Sequence, residues 1–152
     1  MLNELFNYKD GNLYWAVNKG SRAMAGSRAG THHRDGYRHV KVDGKQILVH
    51  RIIYEMHHGP IPEGMQIDHS NGVRDDNRIE NLRVVTNAEN NQNRRDANGF
   101  HFNKRNGKFQ AYIKLDGKQV HLGYHETPVD ARAAYLRAKR EYHTSTPKEY
   151  YL

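Results

Sequence analysis

Two stretches of the chain, YRHVKVDGKQILV at residues 37–49 and QAYIKLDGKQVHL at residues 110–122, align without a gap at an offset of 73. Each consists of an alternating apolar run, an Asp-Gly pair and a second β-favouring run. Asp-Gly marks a two-residue hairpin because both turn positions need positive φ, which glycine adopts freely and aspartate tolerates. Each hairpin leads toward a helical pattern. The repeat therefore predicts an α+β chain assembled from small hairpin-and-helix units; duplication and the chance recurrence of a common unit both account for it.

Composition supports small units. Only 36% of the 152 residues are hydrophobic, which suits two modest cores better than one large one. There is no cysteine, so disulfides and cysteine-zinc ribs are excluded, in keeping with a reducing cytosol. No run approaches the roughly 20 apolar residues that cross a bilayer, and MLNELFNYKD lacks the layout of a signal peptide. The expectation is a cytoplasmic protein with no membrane partner. Net charge is +7, which points to polyanions. Residues 99–152 hold 10 Lys/Arg against 5 Asp/Glu, and residues 1–98 hold 14 against 12. Between Gly11 and Val42 the only acid is Asp35, among Lys19, Arg22, Arg28, Arg34, Arg38 and Lys41.

Residues 12–17, NLYWAV, read as a strand, and residues 18–36 as a Gly-, Ser- and Arg-rich loop without period. Such a loop could follow a phosphate backbone or simply be solvated surface. A hairpin over 37–50 leads to a short helix over 51–58, with Ile52, Ile53 and Met56 inward, Gly59 as cap and Pro60 as stop. Residues 65–69 and 82–85 read as two short strands. Thr86 and Glu89 make a capping box that starts a helix near Asn87. Asn87, Asn90, Asn91 and Arg94 then share one face. Asparagine is a poor helix former, so a stripe of it suggests side chains wanted for ligation or hydrogen bonding. Residues 94–99 read as a linker. Beyond it, strands at roughly 99–103, 108–115 and 118–123 should pack on a helix opened by Thr127-Pro128, whose apolar stripe is Ala131, Ala134, Tyr135, Ala138 and Tyr142.

The chemistry concentrates in Met65–Asn93, MQIDHSNGVRDDNRIENLRVVTNAENNQN. Cutting a phosphodiester needs a base for water, a cation at the phosphate and geometry to align them. His69 can be the base, since neutral imidazole accepts a proton readily near pH 7. Asp68 offers a hard oxygen, and Asn90 on the following helix offers another; magnesium takes few protein oxygens and fills its shell with water and phosphate. An isolated Asp-His pair, taken on its own, suits a surface turn better than a site. Arg51, Arg78 and Arg83 could contact a phosphate or serve as structural arginines.

Asp68-His69, twelve residues to Asn81 and nine more to Asn90 closely resemble the HNH nuclease motif, in the His-Asn-Asn variant of phage homing endonucleases; NRIENL, Asn77 to Leu82, also matches. The resemblance implies a ββα-metal core, with His69 as general base, Asp68 and Asn90 as metal ligands, and Asn81 bonding across the loop to orient His69. Asn90 in place of the final histidine favours Mg2+ or Mn2+ over zinc. Residues 98–143 resemble the APETALA-type DNA-binding domain, with Phe109 where that family has tryptophan. Carried over by position, the DNA contacts are His101, Lys104, Arg105, Lys108, Gln110, Tyr112, Lys114 and His121, joined by Arg22, Arg28, Arg34 and Arg38 from the N-terminal region.

The sequence thus predicts an HNH nuclease domain over 1–95 and an APETALA-like DNA-binding domain over 96–152. The expected activity is that of a site-preferring, divalent-metal-dependent endonuclease on double-stranded DNA. It would be phage-encoded, active in the infected host cell, and a monomer or homodimer. Two other readings fit: a DNA-binding regulator with an inactive HNH core, and a structure-selective or RNA nuclease.

Overall fold

The computed structural model describes residues 2–152 and divides the chain into two compact units, Met1–Asn90 and Asn91–Leu152. Among the described residues the architecture is α+β, built from four small antiparallel sheets and short helices.

The first unit opens with helix α1 (Leu2–Leu5) and strands β1 (Phe6–Lys9) and β2 (Asn12–Trp15). They are joined at Asp10-Gly11, where both residues have positive φ (48° and 79°). The same turn recurs at Asp43-Gly44 (47°, 83°), between β5 (Arg38–Val42) and β6 (Lys45–Leu48). Residues 18–36, expected as loop, contain two short strands instead. Strand β3 (Arg28–Ala29) pairs with β2, and β4 (Thr31–His32) pairs with β5. Two-residue edge strands are too short to leave an alternating pattern, which is why the sequence hid them.

Helix α2 spans Val49–His58, starting two residues earlier than expected because β6 runs straight into it. Gly59 closes it through its N–H to Glu55 O (3.0 Å) at φ 82°. Strands β7 (Gln66–His69) and β8 (Leu82–Val85) form a two-stranded ribbon, with a single 3-10 turn at Ile79–Asn81 before β8. Helix α3 (Asn87–Gln92) starts at the capping box: Thr86 N–H donates to Glu89 Oε2 (2.8 Å) and Glu89 N–H to Thr86 Oγ1 (3.2 Å). It ends before Arg94, so only Asn87, Asn90 and Asn91 of the expected stripe are helical. The core gathers Phe6, Leu13, Trp15, Val40, Val49, Ile52, Ile53, Ile67 and Leu82, with the Phe6 and Trp15 ring centroids 4.8 Å apart.

The second unit is a three-stranded sheet, in order β9 (Phe100–Asn103), β10 (Lys108–Leu115), β11 (Lys118–His125), packed on helix α4 (Pro128–Tyr142). The third Asp-Gly turn, Asp116-Gly117 (49°, 77°), joins β10 to β11. A bulge lies between Gln110 and Tyr112: Leu122 and Gly123 stand where β10 has Ala111 alone. Thr127 caps α4 by accepting from Asp130 N–H (3.1 Å), and Pro128 is its first residue. Ala131, Ala134, Tyr135 and Ala138 are buried against Ala111 and Ile113. Tyr142, expected in that stripe, is 49% exposed. The last turn instead directs Lys139 and His143 inward, the first donating to Gln92 O and the second to Lys114 O (2.9 Å).

Candidate functional site

The β7–β8 register sets Asp68 opposite Arg83 and His69 opposite Leu82. Side chains alternate along a strand, so neighbours 68 and 69 leave β7 on opposite faces. Asp68 shares its face with Gln66, whose Oε1 accepts from Asn90 Nδ2 and whose Nε2 donates to Asn87 Oδ1 (3.4 Å). The face of Asp68 is thus the one that α3 crosses. There Arg83 donates to Asp68 Oδ2 through Nε (3.1 Å) and Nη2 (2.8 Å).

His69 turns the other way and is buried at 5% exposure. Its Nε2 lies 2.9 Å from Asn77 Oδ1. His50 from α2 meets its ring edge-on at 5.0 Å, and Tyr37 lies 5.9 Å from it and 5.3 Å from His50. Burial holds His69 below the ordinary imidazole value, against the hydrogen bond to Asn77 and the charges of Asp68, Asp76 and Asp75. His50 is driven further, to about 3, by burial and by the charges of His69 and Arg51. Both imidazoles are therefore neutral near pH 7.

The loop from Ser70 to Arg78 is held by its own polar groups. Asn81 Nδ2 donates to Asp76 O (2.8 Å) and Asn71 Oδ1 (3.0 Å), Asn81 Oδ1 accepts from Asn71 N–H (3.0 Å), and Asn71 Nδ2 donates to Asp76 Oδ2 (2.7 Å). Arg78 grips Asp76 with Nε (2.8 Å) and Nη2 (2.7 Å) and keeps that carboxyl down at about 2. Asn81 thus spans the loop, while the direct contact to His69 comes from Asn77, which the sequence reading left unassigned. From outside, Tyr8 OH accepts from Ile79 N–H (3.1 Å), Arg38 pairs with Asp75 (2.7 Å), and Arg74 donates to Asp35 O (2.7 Å) while lying over the Tyr37 ring (5.2 Å). Asn77, His50 and Tyr37 carried no spacing signal; the one hint was that Asn77 opens NRIENL.

Asp68 and Asn90 supply oxygen donors on one side of the ribbon. Asn90 gives its amide nitrogen to Gln66, so its carboxamide oxygen is the end that could take a cation. A carboxylate and a carboxamide, with no sulfur and no imidazole, fit a hard cation of the magnesium class.

Of the other expected contacts, Arg22 and Arg34 are exposed, Arg28 is exposed and donates to Asn12 Oδ1, and Arg38 is largely covered by its pairing with Asp75. Arg51 is half-buried on α2, and Arg78 and Arg83 are the ion-paired residues above. In the second unit, Gln110, Tyr112 and Lys114 alternate with the buried Ala111 and Ile113, so they line the sheet face away from α4. The register adds His101 opposite Gln110 and His121 opposite Tyr112, and the bulge brings Tyr124 opposite Gln110. His101 and Tyr112 lie 5.6 Å apart, and His121 and Tyr124 4.8 Å. Lys104 and Arg105 stand exposed in the β9–β10 turn, and Lys108 pairs with Glu126 (2.7 Å).

Residues 48–92, from the last residue of β6 to the end of α3, match the family model described as HNH endonuclease. Over 55 residues, 36% of this chain and 32% of the relative, the chain is 38% identical to YosQ of Bacillus subtilis (strain 168). That protein is SPbeta prophage-derived and named for the HNH homing endonucleases. The chain thus spans about a third of that relative's length. It also resembles a solved structure described as "DNA binding and cleavage by the HNH homing endonuclease I-HmuI", with a TM-score of 0.47, 25% identity, and coverage of 76% of this chain and 70% of that one.

Proposed function

We propose, from the HNH endonuclease match of residues 48–92, that the chain is a divalent-metal-dependent, site-preferring DNA endonuclease of the homing type. One observation carries the reading: β7 ends with neutral His69 on one of its sides and, on the other, Asp68 on the face that Asn90 crosses, so base and oxygen donors flank a single strand end. His69 takes the proton of the attacking water, which a neutral imidazole does and an imidazolium cannot. Asn77 steadies its ring, and Asn81 keeps the loop that carries Asn77 in place. Asp68 and Asn90 would hold a Mg2+ or Mn2+ ion, which would supply positive charge at the scissile phosphate. Arg83, which donates to Asp68, is a further cation beside those donors, and Arg51 and Arg78 are candidate phosphate contacts.

The exposed cations of the N-terminal region and the outer sheet face of the second unit position the duplex, the latter in the manner of an APETALA-type domain. His101, Gln110, Tyr112, Lys114 and His121 share that face, and an antiparallel sheet of this kind can present alternate side chains to a major groove. On this reading residues 1–95 cut and residues 96–152 hold.

Plasmid cleavage with Mg2+, with and without chelator, tests the proposal. Wild type nicks or linearises the plasmid, chelator stops it, and His69→Ala lowers the rate by roughly 10²- to 10⁴-fold while leaving gel-shift affinity nearly intact. A wild-type chain that shifts DNA without cutting it would make the protein a DNA-binding regulator instead.

A further inference from the structure

We propose that Asn77 is a positioning residue that fixes which nitrogen of His69 carries the proton: Nε2 holds it, and Nδ1 is left as the accepting atom. The inference rests on the reading of His69 as general base and adds to it the atom that acts. Asn77 is 1% exposed and sits between Asp76 and Arg78 in the loop that Asn81 spans. Its Oδ1 lies 2.9 Å from His69 Nε2. A carboxamide oxygen only accepts, so Nε2 must donate; a neutral imidazole has one N–H, so Nδ1 keeps its lone pair.

The surroundings hold that choice. His50 meets the His69 ring edge-on at 5.0 Å and Tyr37 flanks both rings, so turning the imidazole over would require repacking a buried cluster. Tyr37 is itself held by the Arg74 guanidinium above its ring. Asn77 Nδ2 is buried with no hydrogen-bond partner. That asymmetry gives the proposal a definite opposite: with the amide reversed, Nδ2 would donate to Nε2, the proton would sit on Nδ1, and neither ring nitrogen would be left to accept. A histidine base held in the wrong tautomer loses most of its catalytic power although its geometry survives.

The test is the long-range 1H–15N spectrum of the His69 ring in the intact, metal-free protein, at a pH where the ring is neutral. The expected pattern is a protonated Nε2 and an unprotonated Nδ1. Asn77→Leu, of similar size but without an acceptor, should give mixed tautomers and lower kcat by roughly 10- to 100-fold with KM for DNA nearly unchanged. Asn77→Asp keeps an acceptor and should keep the proton on Nε2. A wild-type ring protonated on Nδ1 overturns the proposal, as does a folded Asn77→Leu with the wild-type pattern. Should Asn77→Leu not fold, the wild-type spectrum and Asn77→Asp still decide. Undiminished cutting by His69→Ala would instead overturn the general-base reading, whatever the spectrum shows.

Discussion

Asp68, the proposed metal ligand, already receives two hydrogen bonds from Arg83 at its Oδ2 (3.1 and 2.8 Å). A guanidinium and a divalent cation compete for the same carboxylate. Arg83→Gln should therefore tighten Mn2+ binding to the DNA-free protein in calorimetry, while lowering kcat if Arg83 also reaches the phosphate; unchanged or weaker binding would mean that the pair orients Asp68 for the metal. His50 offers a second test at this scale. Its folded value is pushed down to about 3 from the ordinary 6.5, chiefly by burial. Above pH 6.5 both folded and unfolded chains hold it neutral, so it contributes no pH dependence. As pH falls from 6.5 toward 3 the unfolded chain takes up the proton and the folded chain does not, so stability drops, by at most about 1.4 kcal/mol per pH unit. Denaturant melts of wild type and His50→Phe across that window should diverge, with the variant losing less; parallel curves would show that the proton is taken up without cost.

At the scale of elements, the β1–β2 hairpin is a brace for the active loop. A Cβ on Gly11, at φ 79°, would stand 2.9 Å from Arg78 N and 3.1 Å from the Asn77 carbonyl carbon. Gly11→Ala should therefore displace the backbone next to Asn77 as well as strain the turn, lowering both Tm and kcat, whereas Gly44→Ala at the equivalent turn, with nothing within 4 Å, should lower Tm alone. Comparing the two in thermal melts and plasmid cleavage separates turn strain from loop displacement; equal losses of activity would remove the bracing role. The same turns show what was legible beforehand. Asp43-Gly44 and Asp116-Gly117 announced their hairpins because the turn chemistry is local, and Thr86/Glu89 and Thr127/Pro128 announced helix starts for the same reason. Asp10-Gly11 carries the same pair, and NLYWAV shows its second strand, but Phe6–Lys9 before it shows no comparable run, so the hairpin as a whole stays hidden. Asp68, His69, Asn81 and Asn90 stood out through their spacing. Asn77, His50 and Tyr37 did not, because their role comes from burial around one ring, which only the packed core of the first unit creates.

For the molecule as a whole, the charge distribution bears directly on how DNA is held. The +7 charge is carried unevenly, with an excess of five cations over acids in residues 99–152 against two in residues 1–98. Two basic residues of the N-terminal stretch are paired within the fold, Arg38 with Asp75 and Lys19 with Asp43. Lys104, Arg105 and Lys114 are exposed and stand on or beside the outer sheet face. Phosphate neutralisation releases counterions, and log Kobs falls with log[salt] by about 0.9 per phosphate contact on duplex DNA. If these three side chains each meet a phosphate, replacing all three by glutamine should make the salt slope shallower by between about 2 and 3. The weakening should be nearly uniform across DNA sequences, because phosphate contacts carry no base information. Gln110 and Tyr112, pointing from the middle of the same face, should behave differently: replacing them by alanine should leave the slope unchanged while reducing the preference among sites. Salt titrations of gel-shift affinity on a preferred and a random duplex read both effects. A triple variant with an unaltered slope would transfer phosphate binding to the first unit, where the exposed Arg22, Arg28 and Arg34 are the cations to replace next.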